Sequence, residues 1–139
     1  ASGWYDQGGG DVDSRHNYFY PLRIRPGGRT VALSEYGGIA WPMPGHEPPG
    51  KTYGYGACPT KEALNEAVAT LYRESILPAV EKGLCAAIYT QVSDVEDEVN
   101  GLMTYDRRVV KPDGDTMLPI AQALRGAMEK TVASFEKMG

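Results

Sequence analysis

The chain has 139 residues, 42% of them hydrophobic and 23% charged, with a formal net charge of -4. That composition is ordinary for a globular protein and the length suffices for one domain with its own core, which argues against disorder and against a fibrous repeat. An acidic balance without a dense Lys/Arg cluster gives no attraction for nucleic acid or a membrane surface, and no run approaches the roughly 18 apolar residues of a spanning helix. Ala1-Ser2-Gly3-Trp4 carries no signal-peptide pattern, which leaves localisation open. Cys58 and Cys85 are too few for a disulfide scaffold and lack partners at zinc-ligand spacing, so they read as free thiols with no metal and no cofactor implied.

Taken in chain order, Ala1-Ser2-Gly3-Trp4 reads as the tail of an element that begins upstream, and Val12 to Tyr20 as a first strand. Gly8-Gly9-Gly10, Pro26-Gly27-Gly28 and Pro48-Pro49-Gly50 mark the first sixty residues as loop-rich, and long loops carrying aromatic and charged residues are more often binding loops than fillers. Thr30-Val31-Ala32-Leu33-Ser34-Glu35 is a short apolar run ending in a polar pair, the pattern of a buried strand. Apolar residues at Leu64, Val68, Leu71, Tyr72, Ile76 and Val80 give a helical stripe from Thr60 to Lys82. Thr60 is its candidate N-cap, Gly83 its stop, and Pro78 should kink or tighten its last turn. Leu84 to Thr90 follows as a second buried strand running into Gln91 and Ser93-Asp94, so the order is a βαβ unit. Asn100-Gly101 supplies a tight turn, and Thr116 to Lys137 a closing helix with apolar positions Met117, Ile120, Leu124, Met128, Val132 and Phe135.

The expectation is therefore an α/β protein with three parallel strands near 12–18, 30–35 and 84–90 and helices near 60–82 and 116–137. Two buried parallel strands with one helix cannot cover their own edges, so further strands or self-association are expected. In parallel α/β architectures the polar residues at strand C-termini converge on one rim where ligands bind. That rim would gather Asp11 or His16, Glu35, and Gln91 or Asp94. For Glu35 the bland reading is a carboxylate that caps a neighbouring loop. The aromatics Tyr18, Tyr36 and Trp41 favour sugar binding instead, because flat apolar faces suit the C–H faces of pyranose rings.

Ser34-Glu35-Tyr36-Gly37-Gly38 followed by Trp41-Pro42-Met43-Pro44-Gly45-His46 resembles the nucleophile strand and loop of glycoside hydrolase family two, the β-galactosidase/β-glucuronidase kind. Three further blocks agree in order. Ala1-Ser2-Gly3-Trp4 with Gly10-Asp11-Val12 is similar to the end of the fifth barrel strand, and His16-Asn17-Tyr18 to the end of the sixth. Tyr89 to Glu96, continuing through Asn100-Gly101-Leu102 to Tyr105-Asp106-Arg107, resembles the eighth strand and its hairpin. The resemblance implies the C-terminal part of a (β/α)8 TIM barrel, roughly its last three βα units. It implies a retaining O-glycosyl hydrolase acting on a β-glycoside such as a galactoside or glucuronide, with Glu35 as catalytic nucleophile.

Retaining chemistry needs two carboxyl groups about 5 to 5.5 Å apart. The family's acid/base Glu, which follows an Asn on the fourth strand, has no counterpart segment here, so the chain alone is expected to be inactive. The remaining partner would be the missing part of the barrel or a second copy. The competing class is a noncatalytic carbohydrate-binding or assembly fragment. Candidate sugar-binding residues are His16, Tyr18, Trp41, Gln91 and Asp94; Thr90-Gln91 stands where the family often places a Trp. The acidic run Asp94 to Glu98 lacks the alternating oxygen ligands and central Gly of an EF-hand loop and reads as a solvated hairpin.

Overall fold

A computed structural model describes residues 3–19, 22, 24 and 27–137, and only the backbone of Phe135. The elements are β1 (Val12–Asn17), β2 (Thr30–Gly37), β3 (Ile39–Ala40), β4 (Gly56–Ala57), α1 (Lys61–Leu71), α2 (Leu77–Glu81), β5 (Leu84–Thr90) and α3 (Gly114–Glu136). β1, β2 and β5 form a parallel sheet in that spatial order, while β3 and β4 make a separate two-residue parallel ribbon. The protein is thus a mixed α/β structure in which the three expected strands and two expected helical stretches all occur. Tyr20, Ala1 and Ser2, included in the expected elements, lie outside the described residues.

The helical stripe folds as anticipated at its ends and differently in its middle. Thr60 caps α1 by accepting a hydrogen bond from the Ala63 N–H at 3.2 Å, and Gly83, with φ +99, stops the helical stretch after Lys82. Between α1 and α2 the backbone opens into a π turn, Tyr72–Ile76, closed by the Leu77 N–H on the Tyr72 carbonyl. Pro78, which has no N–H to donate, sits in the first turn of α2 just beyond this widened stretch, so the distortion precedes the proline instead of tightening the final turn.

One face of the helical stretch seals the core. Leu64, Val68, Leu71, Ile76 and Val80 are almost fully buried against Val31, Leu33, Tyr36 and Leu84 of the sheet. The Tyr36 and Tyr72 hydroxyls meet at 2.6 Å inside this layer, which lets two phenols be buried with a partner, and burial pushes the Tyr72 hydroxyl up. β5 departs from the expectation of a buried strand. Only Leu84 is buried, while Cys85 to Ile88 are exposed, because among the described residues β5 pairs with β2 alone and nothing covers its outer edge. Likewise, Met117, Ile120 and Leu124 of α3 pack on the core, but Met128 and Val132 further along border an open cleft of about 630 Å³ beside Gly28 and Leu84.

Candidate functional site

A register shift aims Glu35. Along β1, Arg15 pairs with Leu33 and the next residue, His16, with Glu35, so β2 carries one extra residue; its pairing with β5 is likewise irregular between Leu33 and Tyr36. Strict alternation would set Glu35 on the face of Val31 and Leu33, under the helices. With the bulge it is Tyr36 that joins Val31 and Leu33 in the core, and Glu35 keeps a side chain 44% exposed. Ser34, the residue beside the irregularity, is held by the Ser14 hydroxyl at 2.7 Å and by the Arg15 carbonyl at 3.3 Å.

The end of β1 supplies the neighbours of this carboxylate. The Tyr18 hydroxyl lies 2.8 Å from Glu35 Oε2 and 3.1 Å from Thr90 Oγ1 at the end of β5. A phenol has one proton, so Tyr18 donates to the carboxylate and can accept from the threonine. Burial raises the pKa of Tyr18, the Thr90 hydroxyl opposes that, and the Glu35 carboxylate adds to it, so this donor keeps its proton at any working pH. His16 Nδ1 stands 3.2 Å from the same Oε2, outside hydrogen-bond geometry and buried without another partner. The imidazole is wedged against Gly3, where any Cβ would come within 1.8 Å of the ring, and its own backbone N–H donates to the Gly3 carbonyl at 2.7 Å. Trp4 meets the His16 ring edge-on at 5.3 Å.

An aromatic shelf lies beside this group. Tyr55 stacks on Tyr18 with centroids 3.7 Å apart and an interplanar angle of 7°, and Tyr53 and Phe19 meet Tyr55 edge-on. Gly38 makes the stack possible: its φ is +62, and a Cβ there would lie under 3 Å from both tyrosine rings. The Tyr55 N–H donates to the Gly38 carbonyl, which ties the shelf to the end of β2.

The remaining candidate residues have other employment. Trp41 is buried in the core, with its backbone N–H donating to the Val99 carbonyl. Gln91, half-buried beyond a cis Thr90–Gln91 peptide, donates from Nε2 to Glu98 Oε2 at 3.0 Å and to Asn100 Oδ1 at 2.9 Å. Asp94 is not on the rim. Its side chain is 1% exposed, and Oδ1 accepts from Lys111 Nζ at 2.6 Å and from the Gly101 N–H at 2.8 Å. The ammonium of Lys111 is the stronger claim on this carboxylate, and it also donates to the Val99 carbonyl. Burial lowers the pKa of Lys111, and the Asp94 carboxylate pulls it back up. Asn100-Gly101, expected as a tight turn, lies in the interior. Asn100 is fully buried, and a Cβ on Gly101 would sit 2.2 Å from the Asp94 backbone, so the glycine serves a close crossing of two chain segments. His46 Nδ1 pairs with Asp106 Oδ2 at 2.8 Å, linking the loop between β3 and β4 to the segment after β5.

Glu35, Tyr18, His16 and Thr90 thus come together, with Gln91 next in sequence to Thr90. Tyr53 and Tyr55 are neighbours of the site that sequence reasoning misses, and Glu98 belongs to the acidic run that reads as a solvated hairpin. The Tyr53-Gly54-Tyr55-Gly56 alternation is the signal that was available: Gly54 lets the chain press onto Ala40, leaving the tyrosines to project from the ribbon. Among the described residues no group of three or more metal-capable side chains is assembled. Compared with known proteins, the chain matches no family model, and no curated protein aligns with it significantly.

Proposed function

We propose that this chain is the nucleophile-bearing part of a retaining O-glycosyl hydrolase of the β-galactosidase/β-glucuronidase kind, with Glu35 as nucleophile. The observation that carries the reading is the asymmetry of the Glu35 carboxylate. Oε2 is held by Tyr18, whereas Oε1 takes no hydrogen bond from the described residues. One oxygen is oriented and the other is free to attack.

In that chemistry Oε1 bonds to the anomeric carbon, the bond to the leaving oxygen breaks, and a second carboxylic acid protonates the leaving oxygen. Water later hydrolyses the glycosyl ester. The acid would come from a strand with no counterpart in this sequence. The Tyr18–Tyr55 shelf supports a pyranose as the ligand. Two features support a barrel built from further strands: the uncovered outer side of β5, and the hydrogen bond from His16 to Gly3, which sets another chain segment beside β1. The aromatic shelf also suits the second reading, sugar binding without hydrolysis.

Joined to the strands that complete such a barrel, the chain should form a glycosyl ester on Glu35 when given an activated 2-fluoro glycoside, read by mass spectrometry. The chain alone should form none, since general acid catalysis contributes about 10² to 10⁴ in rate and positioning of the anomeric carbon contributes more. An adduct on a different carboxylate overturns the assignment of Glu35. Sugar binding with no adduct in the completed barrel selects the noncatalytic reading.

A further inference from the structure

We propose that Glu98 is a specificity-determining residue that makes the sugar site accept uncharged glycosides and turn away uronic acids. The inference rests on the glycoside reading of Glu35 and narrows its substrate class.

Glu98 reaches the site through two independent connections. Its Oε2 accepts from Gln91 Nε2 at 3.0 Å and from Asn100 Nδ2 at 3.1 Å, and Gln91 follows Thr90, whose hydroxyl shares the Tyr18 phenol with Glu35. On the other side, the backbone at Glu98 pairs with that of Tyr53, whose ring meets that of Tyr55, the residue stacked on Tyr18. The Tyr55 hydroxyl is raised first by burial and by Tyr53, and then by the charges of both Glu98 and Glu35, so one hydroxyl senses the two carboxylates.

The chemistry of Glu98 repeats that of Glu35. Both hydrogen bonds from the described residues fall on Oε2, which leaves Oε1 able to accept from a sugar hydroxyl. The two donors are carboxamides and not cations, so neither neutralises the Glu98 carboxylate. Lys111 is sealed against Asp94. A neutral sugar would gain a charge-assisted hydrogen bond here, while a uronate would bring a third negative charge beside the carboxylates of Glu35 and Glu98 on a partly desolvated shelf.

Titration of the isotope-labelled chain with methyl β-galactoside and methyl β-glucuronide, followed by amide NMR shifts, tests this because weak binding is readable without turnover. The galactoside should shift amides around Glu35, Gln91 and Glu98, and the glucuronide should bind at least about tenfold more weakly. Glu98→Gln, which keeps an acceptor for Gln91, should bring the two within about threefold. In the unaltered chain the gap should narrow as salt rises from 20 mM towards 1 M, where the screening length is about 3 Å, and this readout does not depend on the variant folding. Equal binding of the two sugars, or a gap indifferent to salt and to a folded Glu98→Gln, overturns the role of Glu98 and leaves the glycoside reading standing. Binding of neither sugar overturns the role of Glu98 in this chain, while the glycoside reading is judged separately by the adduct on Glu35.

Discussion

Two carboxylates close behind strands of the same sheet or within them, Glu35 and Asp94, have opposite fates. The Glu35 side chain is 44% exposed and has one oxygen without a hydrogen bond from the described residues; that of Asp94 is 1% exposed, with Lys111 and the Gly101 N–H on its Oδ1. A charge held in the interior must be neutralised and hydrogen-bonded, so the Asp94 lobe is organised around saturation. A charge meant to react needs a supported oxygen beside a free one. Acidity at a strand end therefore says little about function until spare hydrogen-bonding capacity is known.

The sharpest way to break this contrast is to remove one charge on each side. Lys111→Met leaves Asp94 buried and uncompensated and should cost about 3 to 5 kcal/mol in urea unfolding, whereas Glu35→Gln should change stability by no more than about 0.5 kcal/mol. A mild effect of Lys111→Met would mean that the lobe admits water and that the contrast is false. Next in size, Gly101→Ala forces a Cβ against the Asp94 backbone and should destabilise by about 1 to 3 kcal/mol, with the Lys111–Asp94 neighbourhood losing amide protection first.

Tyr18→Phe keeps the stack on Tyr55 but removes the donor to Glu35 Oε2. A loss of about 1 kcal/mol is expected by denaturation and, on the proposed glycosidase reading, a marked fall in the rate of Glu35 glycosylation once the further strands are supplied. An unchanged rate would show that orientation of the carboxylate does not depend on Tyr18.

The smallest effect concerns the link between the two regions. Hydrogen bonding from Thr104, against a smaller penalty from burial, together with His46 and the Arg108 N–H, lowers the pKa of Asp106 to about 2. A carboxyl whose folded value lies below its ordinary 3.8 stabilises the fold above that ordinary value, and the contribution is lost as pH falls through about 2. Asp106→Asn should therefore flatten stability against pH between about 4 and 2 and leave the Lys111–Asp94 effect untouched. An acid limb as steep as that of the unaltered chain would show that Asp106 does not contribute to it.

Much of the α/β frame was legible in the residues. Period-3.6 spacing from Leu64 to Val80, Thr60 as cap and Gly83 as stop are local matters, set by which side chains a helix can bury and which backbone groups need partners. Val31 to Leu33 likewise announces a strand. The burial of β5 was not legible, because Cys85-Ala86-Ala87-Ile88 is apolar enough to be covered yet cannot itself supply the cover. Within the site, His16, Tyr18 and Glu35 were readable as strand-end residues, whereas Trp41 and Asp94 carry side chains equally suited to a rim or to a core.

The sequence by itself determined the elements, their order and the chemical types available to the rim, since these follow from short-range periodicity and capping. Only the tertiary structure decided which side chains face outward. The extra residue in β2 reverses the alternation after Leu33, sending Tyr36 into the core and Glu35 to the solvent-facing side, and a shift in pairing register depends on what the neighbouring strands offer to each backbone N–H and C=O. The same holds for Asp94: nothing in its flanking residues reveals Lys111, seventeen positions on, whose ammonium reaches it only because the hairpin folds back.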